Sequence, residues 1–207
     1  GRASLDLIKI QELCKEEKIP LVEDNAQGML SKLNDKQLGT FSDFSVGSFQ
    51  TTKVVACGEG GLIQVKDKED YENLKNFIFY GRSKDNNLIF NEESGNYKLS
   101  ELNAALALAD FERSDERIKR RNTIDNIYFN NVNSEFFKFL KPPSKNITSN
   151  YKSIFMVEKP EFRFEVENQF KSNKVSMTGY VYKIPLHKQP RIVESKNYID
   201  RELINTN

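Results

Sequence analysis

The chain has 207 residues, enough for one large domain or one and a half, and its hydrophobic fraction of 38% is adequate for a globular core. Lys and Arg number 31 against 30 Asp and Glu, which removes the main electrostatic reason to expect a nucleic-acid or anionic-membrane partner. Cys14 and Cys57 show neither metal-ligand spacing nor a disulfide framework, and no apolar run is long enough to span a bilayer, so a cytoplasmic protein without a metal site is expected.

In chain order, "SLDLIKIQELCKEEK" places Leu5, Ile8 and Leu13 near one helical face, with Ser4 as N-cap. Pro20 follows, and "LVEDNAQ" reads as a short buried strand that ends in polar residues. A turn-rich connection leads to a second strand, Phe44–Phe49, then to a loop holding Lys53 and to a strand over Leu62–Val65. "KEDYENLKNFIFYG" predicts a helix closed by Gly81. From Leu99 to about Asn131 the pattern predicts one long helix. "KPPSKNITSN" reads as a linker, "YKSIFMVE" as a strand, "EFRFEVENQFKSN" as a helix and "VSMTGYVYKIPLHKQP" as irregular. Helix, proline, apolar strand and polar strand end form the rhythm of an α/β protein with parallel strands. The chain begins at Gly1 almost directly in a helix and stops without an evident closing element, so an internal piece of a longer protein is expected.

In such sheets ligands bind at the carboxyl ends of the strands, and two polar clusters fall there. One is Glu23-Asp24-Asn25-Ala26-Gln27; the other is Ser48 followed by Lys53. Alone, Asp24 reads equally well as a loop cap, and Lys53 as a solvated surface lysine. Together they are the minimum set for pyridoxal-phosphate chemistry: a lysine that forms an imine and a carboxylate that pairs with the pyridine nitrogen. Ser48, Thr52 and the turn Gly58-Glu59-Gly60-Gly61 can meet a phosphate, although this turn lacks the P-loop and dinucleotide fingerprints and reads otherwise as a simple return between strands.

The ordered stretches "VEDNAQG", "GTFSDFSVGSFQTTKVVACGEGG", "FYGR", "SGNYKLSELNAALALADFER" and "PLHKQP" resemble the DegT/DnrJ/StrS family of sugar aminotransferases, pyridoxal-phosphate enzymes of fold type I. The resemblance runs from the first helix to about Pro190. It implies that residues 1–130 are the later part of a large cofactor-binding domain, with a mixed, mostly parallel sheet, and that 131–207 belong to a small C-terminal α+β domain. Lys53 matches the Schiff-base lysine and Asp24 the partner of the pyridine nitrogen. Gln27 matches the glutamine against the ring, and Ser48 the phosphate-binding serine. Asn96 matches an asparagine that reaches the phosphate of a neighbouring subunit, which implies a homodimer with shared sites. His187 falls in a motif on the sugar side; as a residue of a proline-bounded loop it is equally well structural. Lys98 stands where the family usually has arginine, and the family's earlier phosphate turn and cofactor-stacking aromatic are not in this sequence.

The implied activity is transfer of an amino group from glutamate or glutamine to a keto-sugar, nucleotide-linked, or to a keto-cyclitol, in polysaccharide or antibiotic-sugar synthesis. Three alternatives remain. A sugar dehydratase of the same family has histidine in place of the lysine, against Lys53. A non-catalytic relative has no need of Asp24, Gln27, Ser48 and Lys53 together. A nucleotide-binding module is opposed by the missing phosphate fingerprint.

Overall fold

Helix α1 (Leu7–Glu16) opens the structure, a computed structural model that describes residues 6–81, 94–132, 134–141, 146–177 and 184–195. The expected cap Ser4 and Leu5 lie outside the described residues. Leu7 and Ile8 pack on a buried cluster of Leu33, Leu38 and Phe41, while Leu13 stays exposed. Burial of each cluster member contributes about 1.5–3 kcal/mol. The Gln11 amide also donates to the Phe41 carbonyl, tying the helix to that cluster.

The strands that follow are β1 (Val22–Asp24), β2 (Lys32–Leu33), β3 (Lys36–Gln37), β4 (Phe44–Ser48) and β5 (Gly61–Val65). β1 and β4 are parallel, with Asp24 opposite Val46; β4 and β5 are antiparallel, with Ser48 opposite Gly61. These three make one sheet in the order β1-β4-β5. The segments expected to carry Asp24 and Ser48 therefore share a sheet and run in the same direction.

Alternation along β1 sends Glu23 inward and leaves Val22 and Asp24 exposed. Glu23 Oε1 accepts from the Gly39 N–H at 2.9 Å. Its Oε2 accepts from the N–H groups of Phe41 and Ser42 at 2.9 and 3.0 Å and from the Ser42 hydroxyl at 2.7 Å. A buried carboxylate is tolerated only with donors of this kind. Gly39 has φ +90, and a Cβ there would lie 2.7 Å from Gln64 Oε1 and 2.9 Å from Ser45 Oγ, so the turn that aims its N–H at Glu23 needs glycine.

Helix α2 (Lys68–Ile78) starts at Asp67, whose carboxylate accepts from the N–H groups of Glu69 and Asp70 at 2.7 and 3.2 Å. Gly81, at φ +67, donates its N–H to the Asn76 carbonyl at 2.9 Å and closes the helix end as expected. The predicted long helix is two helices: α3 (Glu101–Glu112), capped by Ser100, and α4 (Ser114–Asn131), with the break at Arg113. In an unbroken helix the Asp110 carbonyl would serve the N–H of residue 114. Here it accepts from Arg117 Nη2 at 2.7 Å, while Arg117 Nη1 bonds the Asp110 carboxylate at 2.7 Å. Asp115 and Glu116 then fall in the first turn of α4, where the helix dipole favours acids.

Beyond α4 lie β6 (Phe137–Phe139), β7 (Asn146–Ile147) and β8 (Phe155–Val157). Phe155 meets Tyr128 edge-on at 5.5 Å between ring centroids, and Phe139 at 5.4 Å. The stretch read as a linker is different in kind. β7 adds to β2 as an antiparallel partner, and Thr148, Ser149 and Asn150 are buried. Their polar groups are satisfied: Ser149 N–H donates to Ser31 Oγ at 2.9 Å, Asn122 Nδ2 to the Thr148 carbonyl at 3.1 Å, and Asn150 Nδ2 to Asn122 Oδ1 at 3.0 Å. A polar composition that reads as solvated loop is here a paired interior segment.

By packing the chain divides into two compact units, 1–156 and 157–207. The second holds α5 (Arg163–Ser172), on which Val166 is buried, α6 (Pro190–Val193) and two short 3₁₀ turns. Among the described residues no helix is long and apolar enough to cross a membrane.

The Glu23 bonds set the first prediction. Glu23→Ala leaves the N–H groups of Gly39, Phe41 and Ser42 without an acceptor and lowers unfolding stability by about 3 kcal/mol or more, whereas Glu23→Gln, which keeps the volume and one acceptor, costs about half of that. Urea-denaturation midpoints of the three proteins measure the difference; a Glu23→Gln protein as stable as wild type would show that the carboxylate charge is irrelevant to the turn.

Candidate functional site

The carboxyl ends of β1 and β4 lie at the same edge of the sheet because the strands are parallel. Paired residues of a parallel ladder point to the same face, so Asp24 lies on the face of Val46, and Ser48 lies on that face two residues farther along, roughly 7 Å by the rise of a strand. The structure thus brings Asp24 and Ser48 together on the face opposite Glu23. Asp24 Oδ1 accepts from the Ala26 N–H at 3.0 Å; its other oxygen takes no hydrogen bond among the described residues. The exposed Gln27 is in the turn that follows.

Lys53 lies in the loop that leaves β4. Its N–H donates to the Gln50 carbonyl at 2.8 Å, and its side chain is half-buried. The Lys53 ammonium nitrogen is 5.1 Å from the centroid of the Tyr151 ring, a cation–π arrangement. The Tyr151 hydroxyl and Thr52 Oγ1 are hydrogen-bonded at 2.9 Å. Ser48 Oγ accepts from the Gln50 N–H at 3.4 Å, the weakest of these bonds.

After Lys53 the loop is fixed by α3 and α4. The Ala56 N–H donates to Asp110 Oδ2 at 2.8 Å, Arg117 Nη2 donates to the Val54 carbonyl at 3.1 Å, and Asn103 Nδ2 donates to the Glu59 carbonyl at 2.9 Å. Val54, Val55 and Cys57 point into the interior. Burial, and then the charge of Glu59, push the Cys57 thiol up, so it stays protonated and unreactive. Burial by itself pushes the Asp110 carboxyl up. The hydrogen bonds from Arg117 and Ala56, with the charges of Arg117 and Arg113, outweigh it and hold the group below the usual carboxylate range.

Among the described residues no hydrogen bond or ion pair ties the other candidates to this cluster. Asn96 is exposed and opposes Phe79 in an isolated bridge. Its neighbour Lys98 lies 4.0 Å from the Phe79 ring centroid and 5.3 Å from that of Tyr80, a use of the cation that does not require arginine's fork. His187 lies in a 3₁₀ turn of the second unit. Asp110, Arg117 and Tyr151 have no role in the sequence reading, and Glu23 enters it only as a member of the polar cluster at the end of β1, with no role of its own. Only Glu23 carried a signal there: two adjacent acids on a short strand must face opposite ways.

The donor set suits pyridoxal phosphate. Asp24 keeps an open carboxylate oxygen for a pyridine N–H, Ser48 offers a hydroxyl on the same face, and Lys53 offers an amine that makes no ion pair among the described residues. Among the described residues there is no cluster of side chains fit to hold a metal ion.

The sequence profile described as the DegT/DnrJ/EryC1/StrS aminotransferase family matches residues 1–207. GDP-perosamine synthase of Escherichia coli O157:H7 is 30% identical over 190 residues, covering 91% of this chain and 51% of that protein. The dTDP-4-dehydro-2,3,6-trideoxy-D-glucose 4-aminotransferase of Saccharopolyspora spinosa is 27% identical over 205 residues, covering 92% and 52%. Among solved structures, Helicobacter pylori PseC, an aminotransferase involved in the biosynthesis of pseudoaminic acid, superposes with a TM-score of 0.83 at 22% identity, over 98% of this chain and 56% of that one. The chain thus spans about half the length of the relatives it matches. The likeness to PseC shows the fold, fold type I, of which this chain holds a part.

The depressed Asp110 carboxyl has a pH consequence. A group whose pKa is lower in the folded state adds stability that is present above its unfolded pKa, about 3.9, and is lost as pH falls through the folded value. Wild type should therefore melt slightly above Asp110→Asn at pH 7, by a gap that solvent screening of this partly exposed pair keeps small, and the gap should close as pH falls below about 4. Thermal melts of both proteins from pH 7 to pH 3 check this; a gap independent of pH would mean that the Asp110 charge is not what holds the loop.

Proposed function

The chain belongs to the DegT/DnrJ/EryC1/StrS aminotransferase family, and on that premise we propose that it carries the lysine side of a transaminase site acting on a keto-sugar. The cofactor of the family is pyridoxal phosphate. The observation that carries the reading is the placement of Asp24 and Ser48 on one face at the carboxyl ends of parallel β1 and β4, with Lys53 in the loop that leaves β4.

When bound, pyridoxal phosphate supplies the aldehyde that takes up the amino group and the ring that draws electrons from the reacting carbon. Lys53 contributes the amine that holds the cofactor and, once free, a base that moves a proton at the reacting carbon. Asp24, with its open oxygen, accepts the N–H of the pyridinium and keeps the ring charged. Ser48 donates its hydroxyl to the phosphate, and Gln27 lies against the ring. The Tyr151 ring and the Thr52 hydroxyl bound the side from which Lys53 approaches.

The donor is an amino acid, glutamate or glutamine. The acceptor is a nucleotide-linked keto-sugar, in keeping with the nucleotide-sugar names of the curated relatives. The active form is a homodimer in which Asn96 serves the partner's site. The leucines of α3 support a covered face: Leu102, Leu106 and Leu108 are 84%, 54% and 59% exposed here. The small-domain residue His187 meets the sugar. The reaction takes place in the cytoplasm, where free thiols such as Cys14 and Cys57 persist.

In the full-length protein saturated with pyridoxal phosphate, Lys53→Ala should reduce glutamate turnover by more than about 100-fold, the scale of a lost acid–base group. Asp24→Asn should keep the cofactor bound and slow turnover less. Steady-state assays with cofactor absorbance recorded alongside separate the two effects. A Lys53→Ala protein as active as wild type would overturn the proposal.

A further inference from the structure

Among the described residues neither Asp110 nor Arg117 bonds Lys53, yet between them they hold the two peptide groups on either side of Val55. Arg117 Nη2 donates to the Val54 carbonyl at 3.1 Å, and Asp110 Oδ2 accepts from the Ala56 N–H at 2.8 Å. Arg117 Nη1 and Asp110 Oδ1 close the ring at 2.7 Å, and Arg117 Nη2 also bonds the Asp110 carbonyl at 2.7 Å. Inside that ring Val54 and Val55 are 4% and 1% exposed, so the loop cannot slide without unpacking both. On its other side Lys53 is bounded by Tyr151 and by the Gln50 carbonyl that takes its N–H.

We propose that Asp110 and Arg117 are positioning residues for Lys53: through Val54 and Ala56 they fix the direction in which its amine leaves the loop. The proposal rests on the reading of Lys53 as the reacting amine. The side chains of the pair are 36% (Arg117) and 23% (Asp110) exposed, so as a surface ion pair it contributes little to global stability. Its value lies in direction. Four hydrogen bonds converge on two side chains and lock a peptide plane on each side of Val55. A reacting group displaced by a fraction of its bond length from the productive line loses rate without losing affinity for what it reacts with.

The test uses the full-length protein loaded with pyridoxal phosphate, as wild type, Asp110→Asn, Arg117→Ala and Arg117→Lys. Two quantities are read: kcat and KM for glutamate, and the rate at which borohydride attaches the pyridoxyl group to each lysine, by peptide mapping. Asp110→Asn and Arg117→Ala should lower kcat by about tenfold to a hundredfold, while KM stays within about twofold of wild type. Labelling of Lys53 should slow in parallel. Guanidinium ion in the buffer should restore part of the Arg117→Ala loss, because it can refill the site between the Asp110 carboxylate and the Val54 carbonyl. Arg117→Lys, which offers no planar fork, should fall between wild type and Arg117→Ala, and it carries the test if Arg117→Ala does not fold. Label on Lys53 in wild type, with unchanged kcat and labelling rate in the variants, would overturn the positioning role alone. Label on a different lysine in wild type would overturn the reading of Lys53 and this proposal with it.

Discussion

Glu23 gathers the N–H groups of Gly39, Phe41 and Ser42 and the Ser42 hydroxyl onto one buried carboxylate. Because side chains alternate along a strand, fixing Glu23 inward fixes Asp24 outward. The same bonds hold the turn that delivers β4, so the parallel register that sets Asp24 opposite Val46 also depends on them. The buried acid is thus the constraint from which the exposed acid takes its direction. A short strand, three residues long, could not hold that direction by ladder bonds alone.

Lys53 is placed by a different kind of support. β4 and β5 are joined through the loop, but the bonds that fix the loop come from far along the chain: Asp110 and Arg117 across the break between α3 and α4, and Tyr151 from beyond α4. The buried segment Thr148–Asn150 explains how Tyr151 arrives. Its bonds to Ser31 and Asn122 anchor the residues just before it to the β2 region and to α4. A loop clamped from behind keeps the backbone at Lys53 rigid, which is what the proposed chemistry on a covalently held cofactor requires.

Much of this was legible in the sequence, and the boundary of legibility follows range. β1, β4 and β5, the helix closed by Gly81, and the position of Asp24 and Ser48 at strand ends follow from local periodicity and turn residues. The break at Arg113 did not, because the pattern of α3 and α4 is continuous and the interruption depends on a side chain seven residues past Asp110. The role of Thr148–Asn150 did not either. Polar residues next to "KPP" read as solvated linker, and only their tertiary partners satisfy them in the interior. Asp110 and Arg117 looked like ordinary members of a charged helix surface, since nothing local ties them to a loop more than fifty residues earlier.

The most direct measurement of the central claim is a crystal structure of the full-length protein with pyridoxal phosphate bound. The account predicts a Lys53 side chain covalently continuous with the cofactor, an Asp24 carboxylate oxygen about 2.7–2.9 Å from the pyridine nitrogen, and the Ser48 hydroxyl on the phosphate. A cofactor bound through another lysine, or an Asp24 carboxylate turned away from the ring, would contradict it.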